Sequence, residues 1–166
     1  MDEMSRTLYQ EVRDIAARRL SGDRAEASIC ATDLVHEALE RALRHRSLDG
    51  ESRGQILGRV SHIVRQVLVD HARRRQTVRR GSGQPVLQLA VDPTVVPDMQ
   101  PVDLLAVNDA LDRLGALDER QARLIEMRYF GGHNVSEVAE ALEVSLSTVE
   151  KEERKARAWL ALALAD

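Results

Sequence analysis

The chain has few of the residues that build sheets, disulfides or membrane spans. Its 166 residues include one Trp, two Tyr and one Phe, while Ala, Leu, Arg and Glu are abundant, and this composition favours helices over sheets. Cys30 is the single cysteine, which excludes an internal disulfide and indicates a reducing compartment. No apolar run is long enough to span a membrane, and residues 1–4 differ from a signal peptide. We therefore expect a soluble, cytoplasmic protein without a membrane segment.

Charge is distributed unevenly along the chain. The net charge is −3, yet residues 59–80 hold seven basic residues and one acidic residue, and residues 81–103 hold three acidic residues and no basic one. A local basic segment in an otherwise acidic chain predicts a localised polyanion-binding site, in contrast to a uniformly basic protein.

The basic segment continues an amphipathic helix. Ser52 and Gln55 have the spacing of a capping box at its start. Apolar residues then recur at steps of three and four, at Ile56, Val60, Ile63, Val64, Val67 and Leu68. The five arginines that follow exceed what interaction with a helix C-terminus requires, so we predict phosphate contact by Arg73, Arg74, Arg75, Arg79 and Arg80. A solvated helix end or a disordered basic tail is the alternative.

Helices are also expected before this segment, and a linker after it. The apolar spacing predicts two amphipathic helices, near residues 8–20 and 34–43, which can bury a small core together with the helix after Ser52. Residues 81–103 contain four prolines among aspartates, which rules out a continuous helix. We interpret them as an extended acidic linker.

The last third of the chain predicts a second helical unit ending in a helix-turn-helix. Asp103 is the predicted cap of one helix. A second helix, with Leu117 among its apolar residues, is predicted to begin near Asp118 and to stop at Gly131-Gly132. Two further helices follow, separated by residues 143–145. Their predicted caps are Ser136 and Ser145.

The second helix of this helix-turn-helix has two distinct faces. Val149, Ala156 and Leu160 are expected to pack inward. The outward face offers donors for phosphates and base edges, namely Ser147, Thr148, Lys151, Arg154, Lys155 and Arg157. Because Glu150, Glu152 and Glu153 partly offset these cations, a solvated helical hairpin is the alternative.

Several segments, in this order and spacing, resemble the extracytoplasmic-function (ECF) subfamily of bacterial RNA polymerase sigma factors. They are DLVHEA at 33–38, VLVDHARRR at 67–75, LDER at 117–120 with MRYFGG at 127–132, and 144–160. The resemblance covers nearly the whole chain. It implies an all-α fold of two small helical domains, 1–80 and 104–166, which the Pro- and Asp-containing linker 81–103 joins.

The resemblance also implies a role in promoter-specific transcription initiation. The first domain would bind the clamp of core RNA polymerase through Asp33, Glu37, Glu40 and Arg41. It would engage the minus-ten element of promoter DNA through the basic helix, with Arg65, Arg73, Arg74 and Arg75. The second domain would contact the polymerase flap and read the minus-thirty-five element through Ser147, Thr148, Lys151, Arg154 and Lys155. An anti-sigma factor is a further possible partner, and no cofactor is expected.

Two positions depart from the family pattern. Members usually carry an acidic cluster before the Asp-Leu-Val of the second helix, whereas this chain has Cys30-Ala31-Thr32, leaving Asp33 as the only acid. A phosphate on Thr32 would add negative charge at a helix N-terminus, so activation by a Ser/Thr kinase is one hypothesis. An N-cap role for Thr32 is the other. Glu150 and Glu153 also stand where a basic and an apolar residue are common, which predicts a weak or unusual minus-thirty-five contact.

Other classes of function remain as alternatives. His36-Glu37-Ala38-Leu39-Glu40 partly matches the zinc-protease pattern, but position 40 is not histidine and the other histidines are scattered, so no metal or catalytic site is predicted. A helix-turn-helix transcription regulator acting without stable polymerase binding is the main alternative, and a helical adaptor is another. Stable binding to core polymerase separates a sigma factor from both.

Overall fold

A computed structural model describes residues 6, 10, 36–38, 40–42, 44, 50–78, 88–89 and 102–165, giving the backbone alone for 75–78, 88–89 and 102. The prediction of an all-α fold is confirmed. The helices are α1 (Arg53–Val78), α2 (Leu104–Leu117), α3 (Glu119–Ile125), a π-helix (Glu126–Phe130), α4 (Val135–Leu142) and α5 (Leu146–Ala165). None of the helices in these ranges has the length and apolar character needed to cross a membrane.

Helix α1 begins at the predicted capping box. The Ser52 hydroxyl accepts a hydrogen bond from the Gln55 amide at 3.2 Å, and the Gln55 side chain accepts one from the Ser52 amide at 2.9 Å. All six apolar residues predicted to line one face are buried, as are Leu57 and Val69. With 26 residues, α1 is about 39 Å long and is the longest helix described.

The linker contributes one short element to the described structure. Strand β1 (Gln88–Leu89) pairs antiparallel with β2 (Val102–Asp103), joining Gln88 to Asp103 and Leu89 to Val102. The residues between these strands lie outside the described ranges.

Two aspartates set the boundaries of α2 and α3. Asp103 accepts a hydrogen bond from the Leu105 amide at 2.9 Å, and Asp118 accepts one from the Gln121 amide at 3.1 Å, so both predicted caps are confirmed. Asp118 is also the C-cap of α2. The prediction that Leu117 belongs to the helix begun by Asp118, which is α3, was wrong. Leu117 ends α2 and is 71% exposed, because the chain turns at Asp118 before α3 begins.

The π-helix follows α3 without a break. The Gly131 amide donates to the Glu126 carbonyl at 3.1 Å, which closes the wider turn of this helix type. All five residues of the π-helix are buried. It therefore forms the centre of the C-terminal helices.

Caps at two polar residues and a left-handed turn shape the last two helices. The predicted cap of α5 is confirmed, since the Ser145 hydroxyl accepts from the Thr148 amide at 3.2 Å. The predicted cap of α4 was wrong: Asn134 forms a capping box with Glu137, and Ser136 lies inside the helix. Between the helices, Glu143 adopts a left-handed conformation at φ 56° and ψ 44°.

Helix α1 packs directly on the C-terminal helices. It contacts the π-helix, α4 and α2, and most of its buried apolar residues belong to the same core as those of α2 to α5. The predicted boundaries of two domains and a linker remain predictions. In this structure, however, the described part of the first domain and the second domain are in contact.

Candidate nucleic-acid interface

The outward face of α5 is polar and accessible. Ser147, Lys151, Arg154 and Lys155 are exposed, and Thr148 is half-buried. The Ser145 hydroxyl lies 3.1 Å from that of Ser147 and 2.8 Å from that of Thr148. Among the described residues, Lys151, Arg154 and Lys155 form no ion pair, so their charges are available to a polyanion.

Opposite this face, α5 is fixed to the other C-terminal helices. Val149, Ala156 and Leu160 are buried, as the sequence predicts. The Arg113 guanidinium of α2 lies over the Trp159 ring, 5.6 Å from its centroid, which adds a cation–π contact near the end of α5. Burial raises the pKa of the neighbouring Tyr129 hydroxyl to about 12, so this phenol stays neutral.

Two of the three glutamates that the sequence analysis expects to offset the basic face are turned away from it. Glu153 is buried and accepts a hydrogen bond from Arg128 Nε at 3.1 Å, while Arg128 Nη1 donates to the His133 carbonyl at 2.9 Å. Glu152 forms a two-point ion pair with Arg120 of α3. The expectation that Glu153 weakens the outward face was therefore wrong, because its charge is neutralised inside the protein. Glu150 is exposed beside Lys151.

The basic end of α1 is a second accessible cationic surface. Arg73 and Arg74 are exposed, and Arg74 Nη2 lies 3.1 Å from the Glu37 carboxylate. Helix α1 continues through position 75, although the Arg75 side chain lies outside the description. Arg79 and Arg80 lie outside the described residues.

Arg65 does not share this surface. It is 8% exposed and points into the contact between α1 and the C-terminal helices. Its guanidinium donates to the side chain and the carbonyl of Asn108, both at 3.0 Å, and to Asp112 at 2.6 Å. Glu126 of the π-helix lies 3.3 Å from Nη1. In this arrangement Arg65 cannot reach DNA, so the predicted minus-ten contact requires α1 to leave the C-terminal helices.

The residues predicted to face the polymerase clamp are partly engaged within the chain. Arg41 donates to Glu37 at 2.7 Å and to Asp70 of α1 at 2.6 Å, and its hydrogen bond with Asp70 raises the Arg41 pKa. Glu40 is exposed and pairs with Arg44. Asp33 and Thr32 lie outside the described residues.

Sequence reasoning missed the three residues that hold Arg65. Asn108 lies within the apolar stripe of α2, beside Leu104 and Leu111, where an isolated polar residue signals a buried hydrogen bond. Asp112 and Glu126 carried no comparable signal, because charged residues on helices usually face solvent.

Comparison with known proteins identifies the family of the chain. The model of the ECF sigma factor family matches residues 1–166. The chain is 28% identical over 155 residues to the ECF RNA polymerase sigma factor SigL of Mycobacterium tuberculosis, in strains H37Rv, CDC 1551 and Erdman. The aligned region covers 88% of this chain and 80% of that relative. No solved structure shows a significant match.

Proposed function

The chain belongs to the ECF sigma factor family, and we propose that α5 and the basic end of α1 are its two contacts with promoter DNA. As a sigma factor it directs transcription initiation in complex with core RNA polymerase. The assignment of these surfaces rests on the polar face of α5. There, Lys151, Arg154 and Lys155 lack carboxylate partners among the described residues.

For α5, the proposed target is the minus-thirty-five element. The N-terminal half of a recognition helix enters the major groove, and the exposed Ser147, Lys151 and Arg154 lie there. The pairing of Glu152 and Glu153 with arginines removes much of the acidic charge that would repel phosphates. Exposed Glu150 is positioned to influence which base is accepted, since a glutamate can accept a hydrogen bond from cytosine.

For α1, the proposed target is the minus-ten element. Arg73 and Arg74 supply cations for backbone phosphates, with Arg75, Arg79 and Arg80 following along the chain. The proposed clamp surface is formed by Asp33, Glu37, Glu40 and Arg41. This division corresponds to domains 1–80 and 104–166 with the linker 81–103 between them.

We also propose that a Ser/Thr kinase regulates clamp binding through Thr32. The charge argument is that the carboxylate of Glu37, a proposed clamp contact, is already paired with Arg41 and Arg74 within the chain. With Cys30-Ala31-Thr32 where the family has acids, little negative charge remains for a basic clamp. A phosphate on Thr32 adds about −1.5 to −2 charges at physiological pH.

Core-polymerase affinity and promoter transcription test these proposals together. The proteins are wild type, Thr32→Ala, Thr32→Glu and kinase-treated wild type. A phosphorylation switch predicts tight core binding only after kinase treatment, with Thr32→Glu as a partial mimic. Equal, tight binding by untreated wild type and Thr32→Ala would eliminate the switch and leave Thr32 as an N-cap. Promoter binding without core binding by every form would instead favour a regulator acting without polymerase.

A further inference from the structure

A cavity of about 340 Å³ lies between α1 and α2. Three arginines line it, Arg41 from upstream of α1 and Arg65 and Arg73 from α1 itself, and we call it the arginine cavity. Of the nine described residues that line it, Val69 alone is apolar. Pockets for apolar ligands are lined mainly by hydrophobic side chains, so this cavity suits a polar, charged ligand.

The arginine cavity carries a positive charge. The described acids that line it are Asp70 and Asp112, so three arginines and two aspartates leave a formal charge of +1 before any protonation of His62. The Asp112 side chain is 68% exposed and that of its partner Arg65 is 10% exposed, while Asp70 and its partner Arg41 are 38% and 29% exposed. Water therefore screens the carboxylates more than the guanidinium groups, which favours an anion in the cavity.

The ion pairs also hold two of the guanidinium groups in place. Asp70 lies 2.6 Å from Arg41 Nη2, and Asp112 lies 2.6 Å from Arg65 Nη2. Among the described residues, Arg41 bonds Glu37 and Asp70 through Nη2, so its Nε and Nη1 remain for a ligand. A guanidinium that is already fixed loses less conformational entropy on binding, and its planar fork matches the oxygens of a phosphate.

We propose that the arginine cavity binds a phosphorylated small molecule of up to nucleotide size. Arg41 and Arg73 bind the phosphate groups, and Arg65 adds positive charge from the buried side. The volume is near the lower end of the range for small-molecule pockets, which is roughly 300–1,000 Å³. A DNA duplex, whose major groove alone is about 12 Å wide, is too large to enter it.

Occupation of the cavity would compete with the contacts proposed for the same arginines. Arg41 is a proposed clamp contact, and Arg65 and Arg73 are proposed minus-ten contacts. The ligand therefore acts as an inhibitor of the sigma factor. This regulatory consequence rests on the proposed function, whereas binding of the ligand does not.

Isothermal titration calorimetry of the full-length protein tests the site with inorganic pyrophosphate and with ADP. Arg73→Gln removes a cavity arginine, and its matched control is Arg74→Gln, since Arg74 is the next residue of the same helix, is exposed and does not line the cavity. Asp112→Asn removes a cavity acid and keeps an oxygen for Arg65. Its control is Asp109→Asn, which removes an exposed acid of α2 outside the cavity. Circular dichroism establishes that each variant keeps its helices.

The two cavity variants should change the affinity for pyrophosphate in opposite directions. Arg73→Gln should weaken binding at least about tenfold, because a charge-assisted hydrogen bond is lost. Asp112→Asn should strengthen it about threefold, because a repelling charge is removed. Both control variants should bind nearly as tightly as wild type. Tighter binding of ADP than of pyrophosphate would identify a nucleotide as the ligand, and equal affinities would identify the phosphate groups as the part that is recognised.

Two results would overturn the site. One is the absence of binding by wild type at millimolar concentrations of both probes. The other is equal weakening by Arg73→Gln and Arg74→Gln, which would show unspecific adsorption of anions to the basic end of α1.

The regulatory consequence is measured separately. Saturating pyrophosphate should lower the affinity of wild type for core polymerase and leave that of Arg73→Gln unchanged. If pyrophosphate binds in calorimetry and wild-type core affinity does not fall, the site stands and the competition is refuted. If no form of the protein binds core polymerase, the proposed function fails, and calorimetry still decides the site.

Discussion

Arg128 of the π-helix and Glu153 of α5 form a buried ion pair, with Nε and Oε1 3.1 Å apart. Their side chains are 8% and 11% exposed, and Arg128 also donates to the His133 carbonyl. The pair therefore joins the centre of the C-terminal helices to the helix proposed to read DNA.

Removing one partner of this pair should destabilise the protein strongly. For Glu153→Ala we expect the free energy of unfolding to fall by about 3–5 kcal/mol, because Arg128 would keep an uncompensated buried charge. The double change Arg128→Met with Glu153→Leu should be much less harmful. Urea denaturation followed by circular dichroism measures both. A Glu153→Ala variant as stable as wild type would show that the pair contributes little.

The left-handed residue between α4 and α5 offers a stabilising substitution. Glu143→Gly should raise the free energy of unfolding by about 0.5–1 kcal/mol, since glycine adopts a positive φ without the steric penalty of a Cβ. Glu140→Gly, a change of the same residue type within α4, should lower it by a similar amount. Thermal denaturation of both variants compares them directly, and the same sign for both would contradict the explanation.

Substitutions on α5 should weaken recognition of the minus-thirty-five element. Changing Lys151 or Arg154 to Ala should reduce holoenzyme affinity for such promoters by about 1–3 kcal/mol wherever the native side chain hydrogen-bonds a base edge. Core-polymerase binding should be unchanged. Arg123→Ala, which removes an exposed arginine of α3, is the control for net charge. Promoter footprints that both α5 changes leave intact would assign DNA recognition to other residues.

At the basic end of α1, charge removal should alter the dependence of binding on salt. The triple change of Arg73, Arg74 and Arg75 to Ala should lower the slope of log affinity against log salt by about 0.9 for each phosphate that these arginines neutralise in wild type. The effect on folding should be small, because Arg73 and Arg74 are exposed. Titration of a promoter fragment at several salt concentrations gives the slope, and an unaltered slope would exclude phosphate binding by these arginines.

The contact between His62 and Glu126 should make stability depend on pH. The hydrogen bond from His62 Nδ1 to Glu126, 2.9 Å long, raises the His62 pKa above 6.5, while burial and the nearby Arg65 and Arg123 oppose the shift. The resulting stabilisation is fully present below pH 6.5 and is lost as the pH rises through the higher, folded-state value.

The variant His62→Gln tests this dependence. The difference in unfolding free energy between wild type and variant should be largest below pH 6.5 and decrease at higher pH. In the structure, Gln66 Nε2 lies 3.0 Å from His62 Nε2. Because protonated His62 carries a hydrogen on this nitrogen, the Gln66 amide must then turn its oxygen towards it. A constant difference across the pH range would show that His62 does not titrate against Glu126.

Local features of the fold could be predicted from the sequence, and some errors were avoidable. Capping residues and apolar stripes act over three or four positions, so Ser52, Asp103 and Ser145 were identified correctly. Asn134 and Glu137 have capping-box spacing too, but Ser136 also matched a cap. Glu153 falls in register with Val149, Ala156 and Leu160, which signals an inward-facing residue.

The partners of Arg65 could not be predicted, because they depend on tertiary packing. Asn108 and Glu126 lie 43 and 61 positions away along the chain. Local charge indicates that a segment is basic without indicating which cations are buried. The distribution of charge along the chain therefore predicts the position of the basic helix, but it does not predict that Arg65 is buried.

The π-helix also sets the positions of side chains around the axis of the helix that it continues. A π-helical turn accommodates one residue more than an α-helical turn between the same ends, and each residue of an α-helix advances the chain by about 100°. Deleting a single residue from Glu126–Phe130 would therefore let the segment close as an α-helical turn between the same ends, and the side chains within it, Arg128 among them, would shift relative to Glu153. The number of residues in this segment is constrained as tightly as their identity.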